Sequence, residues 1–256
     1  MDNRVRLLGI PVDIASTSVA GEASIQYMAE ECSKVVYFVN SETLLLLQNN
    51  KGIAEKNDID ANDPQAANTA ILDGCDMVLP GNTSVNKGIN DVLGQKRDPF
   101  FLESYFDTIF NYAIGNGSEL FLIAGSKEHY DSVLDNIHEQ WPYLTLSGAF
   151  MTEQDSSYEH IVNEINSIAP DVLIVALGET LQLELLRDYR KQINAGLMLF
   201  TGNILYHKAV SEAKLPESIE KLKMGNIYKW FMKGDSGKSW FNNIKMKLRL
   251  KRDKQD

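Results

Sequence analysis

The chain has 256 residues, enough for one large α/β domain or two small ones with a proper core. Its 44% apolar and 23% charged content is that of a folded globular protein, which excludes disorder over most of its length. The net charge of −10 divides unevenly: residues 1–220 hold 14 basic and 32 acidic side chains, residues 221–256 hold 11 and 3, and an acidic body argues against nucleic acid as the main partner.

Short apolar runs alternate with longer helical patterns, the signature of parallel βαβ units. In chain order the expected strands are Val5–Ile10, Lys34–Val39, Met77–Leu79, Glu119–Ala124, Tyr143–Gly148, Val172–Leu177 and Leu197–Thr201. Several are continuously apolar, as strands covered on both faces should be. The expected helices include one after Ala15 capped by Ser16 or Thr17, then Ser41–Asn49, Phe101–Ile114, His129–Gln140, Tyr158–Ile168 and Gln182–Gln192. Lys51–Pro64 is polar and reads as a loop. Gly115-Asn-Gly117 separates a front half, 1–117, from a back half, 118–215, of one Rossmann-like domain. A basic, aromatic appendage follows over 216–256.

Apolar stretches are too short for a signal or a membrane span, which needs about 20 residues. The expected location is therefore cytoplasmic, with any membrane contact peripheral. Cys32 and Cys75 offer neither a disulfide framework nor metal-ligand spacing and read as thiols of a reducing compartment. The four histidines show no metal pairing, so no metal and no cofactor is expected. Serines lack the Gly-x-Ser-x-Gly elbow, and Walker and Gly-x-Gly-x-x-Gly loops are absent.

Six blocks follow one another in an order that carries more than any one of them. They are Leu8-Gly-Ile-Pro-Val-Asp13, Val35–Asn40 with Leu44–Gln48, Cys75-Asp-Met-Val-Leu-Pro80, Leu120–Gly125, Trp141–Gly148 and Pro170–Gly178. This series resembles the WecG/TagA/CpsF glycosyltransferases (glycosyltransferase family 26) over residues 5–232. The resemblance implies a Rossmann-like fold with its site where strand ends open into loops, as open α/β sheets generally bind ligands. It also implies inverting transfer of an N-acetylmannosamine-like sugar, without metal, from a UDP-sugar donor to an undecaprenyl-diphosphate-linked acceptor in surface-polysaccharide or teichoic-acid-type synthesis.

This chain departs from the family where chemistry is expected. The family's Leu-Pro-Asp-Gly, whose Asp is the candidate base, stands here as Leu79-Pro-Gly-Asn82, so the base position is Gly81. Gly-Ser-Pro-Lys-Gln-Glu stands as Gly178-Glu-Thr-Leu-Gln-Leu183, which keeps Gly178 and Gln182 and gains Glu179. Gly-Gly-Ala-Phe-Asp stands as Thr201-Gly-Asn-Ile-Leu205, and a family Thr becomes Phe38. Asp76 aligns with a family position read as structural.

The resemblance makes Asn40, Asn82, Thr83, Arg97, Gly125, Gly178 and Gln182 the donor-binding candidates, with Glu179 as a substitute base. Each has a plainer reading beside it. Asn40 could only make an Asx turn, Gly125 only a tight turn, and Arg97 only a surface ion pair with Asp98. Gln182 and Glu179 could be solvated helix residues. Three lost polar positions keep a second function in view, a catalytically inactive relative that binds or scaffolds.

Between Lys221 and Lys254, Trp230, Phe231, Trp240, Phe241, Ile244 and Leu248 alternate with eleven Lys or Arg. On a helix, Trp240, Phe241, Ile244 and Leu248 share one face. That suits a helix lying on an anionic membrane surface, where the lipid-linked acceptor resides. The alternative is aromatic packing on the body with a solubilising end. A homo-oligomer is compatible with the sequence.

Overall fold

The computed structural model describes residues 4–30, 32–49, 70–153 and 157–206. Its elements are β1 (Arg4–Leu7), β2 (Ile10–Asp13), α1 (Thr17–Met28), β3 (Lys34–Val39), α2 (Ser41–Asn49), β4 (Met77–Pro80), α3 (Thr83–Leu93) and α4 (Leu102–Asn116). They continue with β5 (Leu120–Ala124), α5 (Lys127–Gln140), β6 (Leu146–Met151), α6 (Tyr158–Ile168), β7 (Val172–Ala176), α7 (Glu179–Tyr189) and β8 (Leu197–Phe200). The appendage 216–256 and the loop Lys51–Pro64 lie outside the described residues.

Six strands form one sheet in the order β4-β3-β8-β7-β5-β6, every neighbouring pair parallel. All six carboxyl ends therefore open on one edge. Helices cover both faces, which is why the central strands are apolar throughout. Alternate side chains sort cleanly between the two layers: Val35, Tyr37 and Val39 join the core under α2, α3, α6 and α7, while Val36 and Phe38 join the core under α1, α4 and α5. The second core is rich in rings, with Phe38 edge-on to Tyr105 at 5.4 Å and Phe110 edge-on to Trp141 at 4.8 Å between ring centres. Strands of the front and back halves meet in the middle, where β3 pairs with β8.

The expected strand Val5–Ile10 is not a strand of this sheet. It is a two-stranded antiparallel hairpin, β1 against β2, with Leu7 opposite Ile10. Leu8 and Gly9 turn the chain at φ 52° and 82°, the left-handed pair that a tight hairpin requires. The apolar run fits either pairing, and only the turn distinguishes them. Tyr143–Gly148 also shifts, to Leu146–Met151. The backbone turns at Trp141–Leu144 first, leaving Tyr143 80% exposed. Helix α3 goes unread in the sequence, although Asn82 caps its start and Gly94, in the left-handed region, ends it. Ser16, not Thr17, caps α1 by accepting from Val19 N. The last expected helix begins three residues early, at Glu179, and ends in a 3₁₀ turn over Arg190–Gln192.

Two carboxylates tie the hairpin and the amino ends of the strands together. Asp13, 2% exposed, accepts from Arg4 Nε at 2.7 Å and from the Val78 backbone N–H at 2.6 Å, which fastens β2 to β4. Asp76 accepts from Val35 N at 2.9 Å and faces Lys34 and Arg190. Truncating Asp13 strands a buried N–H and a half-buried guanidinium. Asp13→Ala should cost about 2–3 kcal/mol of stability, read from urea unfolding midpoints at constant slope.

Candidate functional site

The site is assembled where β3, β4, β7 and β8 end side by side. At the tip of β3, Asn40 caps α2 through its Oδ1, which accepts from Glu42 N at 2.7 Å and Thr43 N at 3.0 Å. Thr43 answers reciprocally, its Oγ1 accepting from Asn40 N at 3.2 Å. The Asx geometry expected for Asn40 is thus present, yet its amide nitrogen is not spent on it. Asn40 Nδ2 donates to Glu179 Oε1 at 2.7 Å.

Glu179 opens α7 just past Gly178, and its carboxylate is buried, not solvated. Besides Asn40 it accepts from Thr43 Oγ1 at 2.7 Å and from Tyr37 Oη at 3.0 Å, both on Oε2. Burial pushes its pKa up, against these three hydrogen bonds, which pull it down. The same burial, with the adjacent carboxylate, holds Tyr37 well above the ordinary phenol value. Three donors on one carboxylate are what an oriented structural group looks like. A proton acceptor needs an open lone pair facing substrate.

One turn on, Gln182 is fully buried rather than a solvated helix glutamine. Its Oε1 accepts from Gly202 N at 2.8 Å, whereas its Nε2 is buried with no partner among the described residues. Gly202 follows β8 with φ +55°, and a Cβ there would stand 2.9 Å from Glu179 Oε1 and 3.1 Å from Gln182 Nε2. Only glycine lets both side chains close over the end of β8.

The Pro80–Ser84 segment meets this cluster through shared neighbours. Gly81 N donates to Val39 O at 2.7 Å, and Asn82 Nδ2 reaches Ser41 Oγ at 3.5 Å. A Cβ on Gly81 would lie 3.0 Å from Val39 O and 3.2 Å from Ile204 Cδ1, so a side chain there has to displace the loop that follows β8. Asn82 also caps α3 by accepting from Val85 N at 3.0 Å.

Two adjoining clefts flank the segment. One, of 710 Å³, is lined by Asp13, Ser16, Pro80, Asn86, Asn90, Lys96 and Arg97 among others. Arg97 makes no ion pair with Asp98, and among the described residues only its backbone N–H is held, by Asn90 Oδ1 at 3.1 Å. The second, of 610 Å³, is lined by Gly81, Asn82, Thr83, Glu103 and Ile204, with Phe100, Phe101, Phe106 and Trp141 as its apolar wall. Asn86 and Phe100 line both, tied to each other by two hydrogen bonds at 3.0 and 3.1 Å. Gly125, at the tip of β5, lines neither cleft; its carbonyl accepts from Glu153 N and Thr152 Oγ1, and its open side faces His129.

The structure therefore brings a part-buried Asn40 and the buried Glu179 and Gln182 into one cluster with an exposed Gly178 at its rim, puts Asn82, Thr83 and Arg97 in adjoining cleft walls, and leaves Gly125 apart. Tyr37 and Thr43 belong to the cluster but are not singled out in the sequence, and Gly202, which keeps the second glycine of the aligned Gly-Gly-Ala-Phe-Asp signature, goes unread as a site residue. Among the described residues no group of His, Cys, Asp and Glu is arranged to hold a metal, and no helix is long and apolar enough to cross a membrane.

The model of the Glycosyl transferase WecG/TagA/CpsF family matches residues 5–236. The chain belongs to this family. It is also 29% identical over 116 residues to a UDP-Gal:alpha-D-GlcNAc-diphosphoundecaprenol beta-1,4-galactosyltransferase of Shigella boydii. That match takes in 44% of this chain and 48% of the relative, so it spans about half the length of each.

Glu179's shift has a consequence for stability. With the folded pKa above the unfolded one, the native state binds the extra proton, so this group's contribution is full below about pH 4.5 and is lost as pH rises through the folded value. Of the groups facing it, Tyr37 stays protonated, and Glu42 adds negative charge that acts in the same direction. Glu179→Gln should therefore gain stability relative to wild type as pH rises from 4 to 8. Thermal melts of the two proteins across that range check it; parallel curves would contradict the assignment.

Proposed function

We propose that this chain is a glycosyltransferase that moves a sugar from a UDP-linked donor to a sugar carried on a polyprenyl diphosphate. Family membership and the relative's acceptor support the reaction class. The observation that carries the reading is that the Pro80–Ser84 and Gly178–Gln182 segments share the carboxyl edge of the sheet, joined through the residues that follow β3 and β8, with a cleft bearing cationic residues beside Pro80. Lys96 and Arg97 suit a leaving diphosphate, whose developing charge needs a cation. The amide of Asn40 and the unpartnered Nε2 of Gln182 suit oxygens of the donor, and Asn82 and Thr83 suit a sugar in the aromatic-walled cleft, where the acceptor would lie. Gly178 begins α7 without a side-chain cap, so its helix start remains open to an oxygen ligand.

A second reading has its own observation. Gly81 offers no carboxylate, and the carboxylate gained at Glu179 is already bonded three times. That favours a relative which binds a nucleotide sugar or lipid-linked sugar and turns it over slowly or not at all. The readings separate on incubation with UDP-galactose or UDP-N-acetylmannosamine and an N-acetylglucosaminyl-diphospho-lipid. A disaccharide-lipid product by mass spectrometry is the expected result. Binding of UDP by calorimetry without product favours the binding relative, and neither binding nor product rejects both.

The basic, aromatic tail supports residence at an anionic membrane surface, where such an acceptor is displayed. Full-length protein should float with vesicles containing anionic lipid. Reversing Lys245, Lys247, Arg249, Lys251 and Arg252 to Glu should abolish this; equal flotation of both forms counts against the tail.

A further inference from the structure

The residue gained in the signature loop has a role that its alignment does not suggest. We infer that Glu179 is a positioning residue: with Tyr37 and Thr43 it holds the Asn40 amide, and it packs with Gln182 against Gly202 at the end of β8. This rests on the donor-binding reading given above.

Thr43 Oγ1 accepts from Asn40 N–H, so its own proton is free to point at Glu179 Oε2, 2.7 Å away. Tyr37 stays protonated in this setting and donates to the same oxygen at 3.0 Å. Oε1 is then left for Asn40 Nδ2 at 2.7 Å. Because Asn40 Oδ1 is fixed on two backbone N–H groups of α2, the whole amide is clamped in one orientation, with one Nδ2 hydrogen unspent among the described residues. Gln182 is clamped in the same manner by Gly202 N on its Oε1, and its Nε2 hydrogens have no acceptor among the described residues. Such a buried, unpartnered donor is costly unless something oxygen-bearing meets it. Two amide donors with fixed orientation, one of them held by Glu179 Oε1, match the oxygens of a nucleotide sugar. On this reading the side chain of Glu179 holds the frame and is not the acceptor of the proton lost in the transfer.

Substitution at 179 distinguishes a frame from a base. A carboxamide keeps the frame: its oxygen accepts from Asn40, and its NH₂ donates to the Tyr37 and Thr43 hydroxyls, which rotate to accept. Glu179→Gln should therefore retain turnover within about threefold, whereas removing a general base costs about 10²–10⁴-fold. Glu179→Ala removes the frame and should raise the donor KM about tenfold or more, with a smaller effect on kcat, since a buried hydrogen-bonded group is lost. Thr43→Val, which at equal volume removes both the donor to Glu179 and the acceptor of Asn40 N–H, should move KM in the same direction and serves if the alanine variant fails to fold. The measurements are kcat and KM for the UDP-sugar and UDP affinity by calorimetry, on the full chain. A fall of a hundredfold in kcat for Glu179→Gln at unchanged KM makes Glu179 the base and overturns the inference. Unchanged KM in both Glu179→Ala and Thr43→Val overturns it as well. Wild-type protein that neither binds UDP nor turns over removes the donor-binding reading and this inference with it, an outcome distinct from the other two.

Discussion

A carboxylate moved out of water loses several kcal/mol of hydration, and it stays ionised inside a protein only when donors replace the water it gave up. Glu179 finds three such donors by reaching across the sheet, and burial still outweighs them in holding its pKa above the ordinary carboxyl value. It starts α7, after β7, and its donors stand on β3 and α2, while β8 runs between the two strands. The bonds therefore pass over the end of β8, where the chain must carry no side chain and must turn through a positive φ. Gly202 satisfies both conditions. Two loops far apart in sequence are fixed relative to each other by one buried group, and the rest of the site is built on that fixed edge.

The opposite end of the sheet is held by charge of another kind. Asp76 fastens the start of β3 and Asp13 fastens the hairpin to β4, each meeting backbone N–H as well as arginine. Fixed at both ends, the strands give the carboxyl-edge loops little freedom to drift. This matters for recognition, because an amide donor misplaced by about 1 Å loses most of its advantage in a reaction that depends on orientation.

Much of the sheet is legible in the sequence because a strand covered on both faces has to be an unbroken apolar run, and Lys34–Val39, Val172–Ala176 and Leu197–Phe200 are such runs. Val5–Ile10 is largely apolar but is interrupted by an exposed Arg6 and folds as a hairpin, turned at Leu8-Gly9 by two positive φ angles that a hydrophobic pattern does not encode. Helix α3 carries a cap, a left-handed stop and apolar residues Val85 and Ile89 one turn apart, so its signal is present though short. At the site, Asn40, Glu179 and Gln182 stand out because they fall in aligned loops. Their partners do not. Tyr37 reads as one more apolar strand residue and Thr43 as one more helix residue, and only the packing of α7 on α2 reveals that their hydroxyls face a carboxylate.

The missing carboxylate at Gly81 has to be weighed by magnitude. A general base supplies about 10²–10⁴-fold, out of total enzymic accelerations of about 10⁶–10¹⁷-fold. Stabilising charge on the leaving group and holding the reactants in line supply the larger share. The elements for those two effects are here: cations on the 710 Å³ cleft, two clamped amides, and a second cleft beside the first. On the proposed reading, loss of the base alone makes a slower transferase before it makes an inert one. Val39 O and Ile204 crowd Gly81 and leave little room for a carboxylate there, while the Asn40 amide is held in one orientation and Gln182 Nε2 has no partner among the described residues. A protein retained only for its shape has no need to keep a buried amide nitrogen without a partner, a feature that costs about 1–3 kcal/mol until a ligand oxygen meets it.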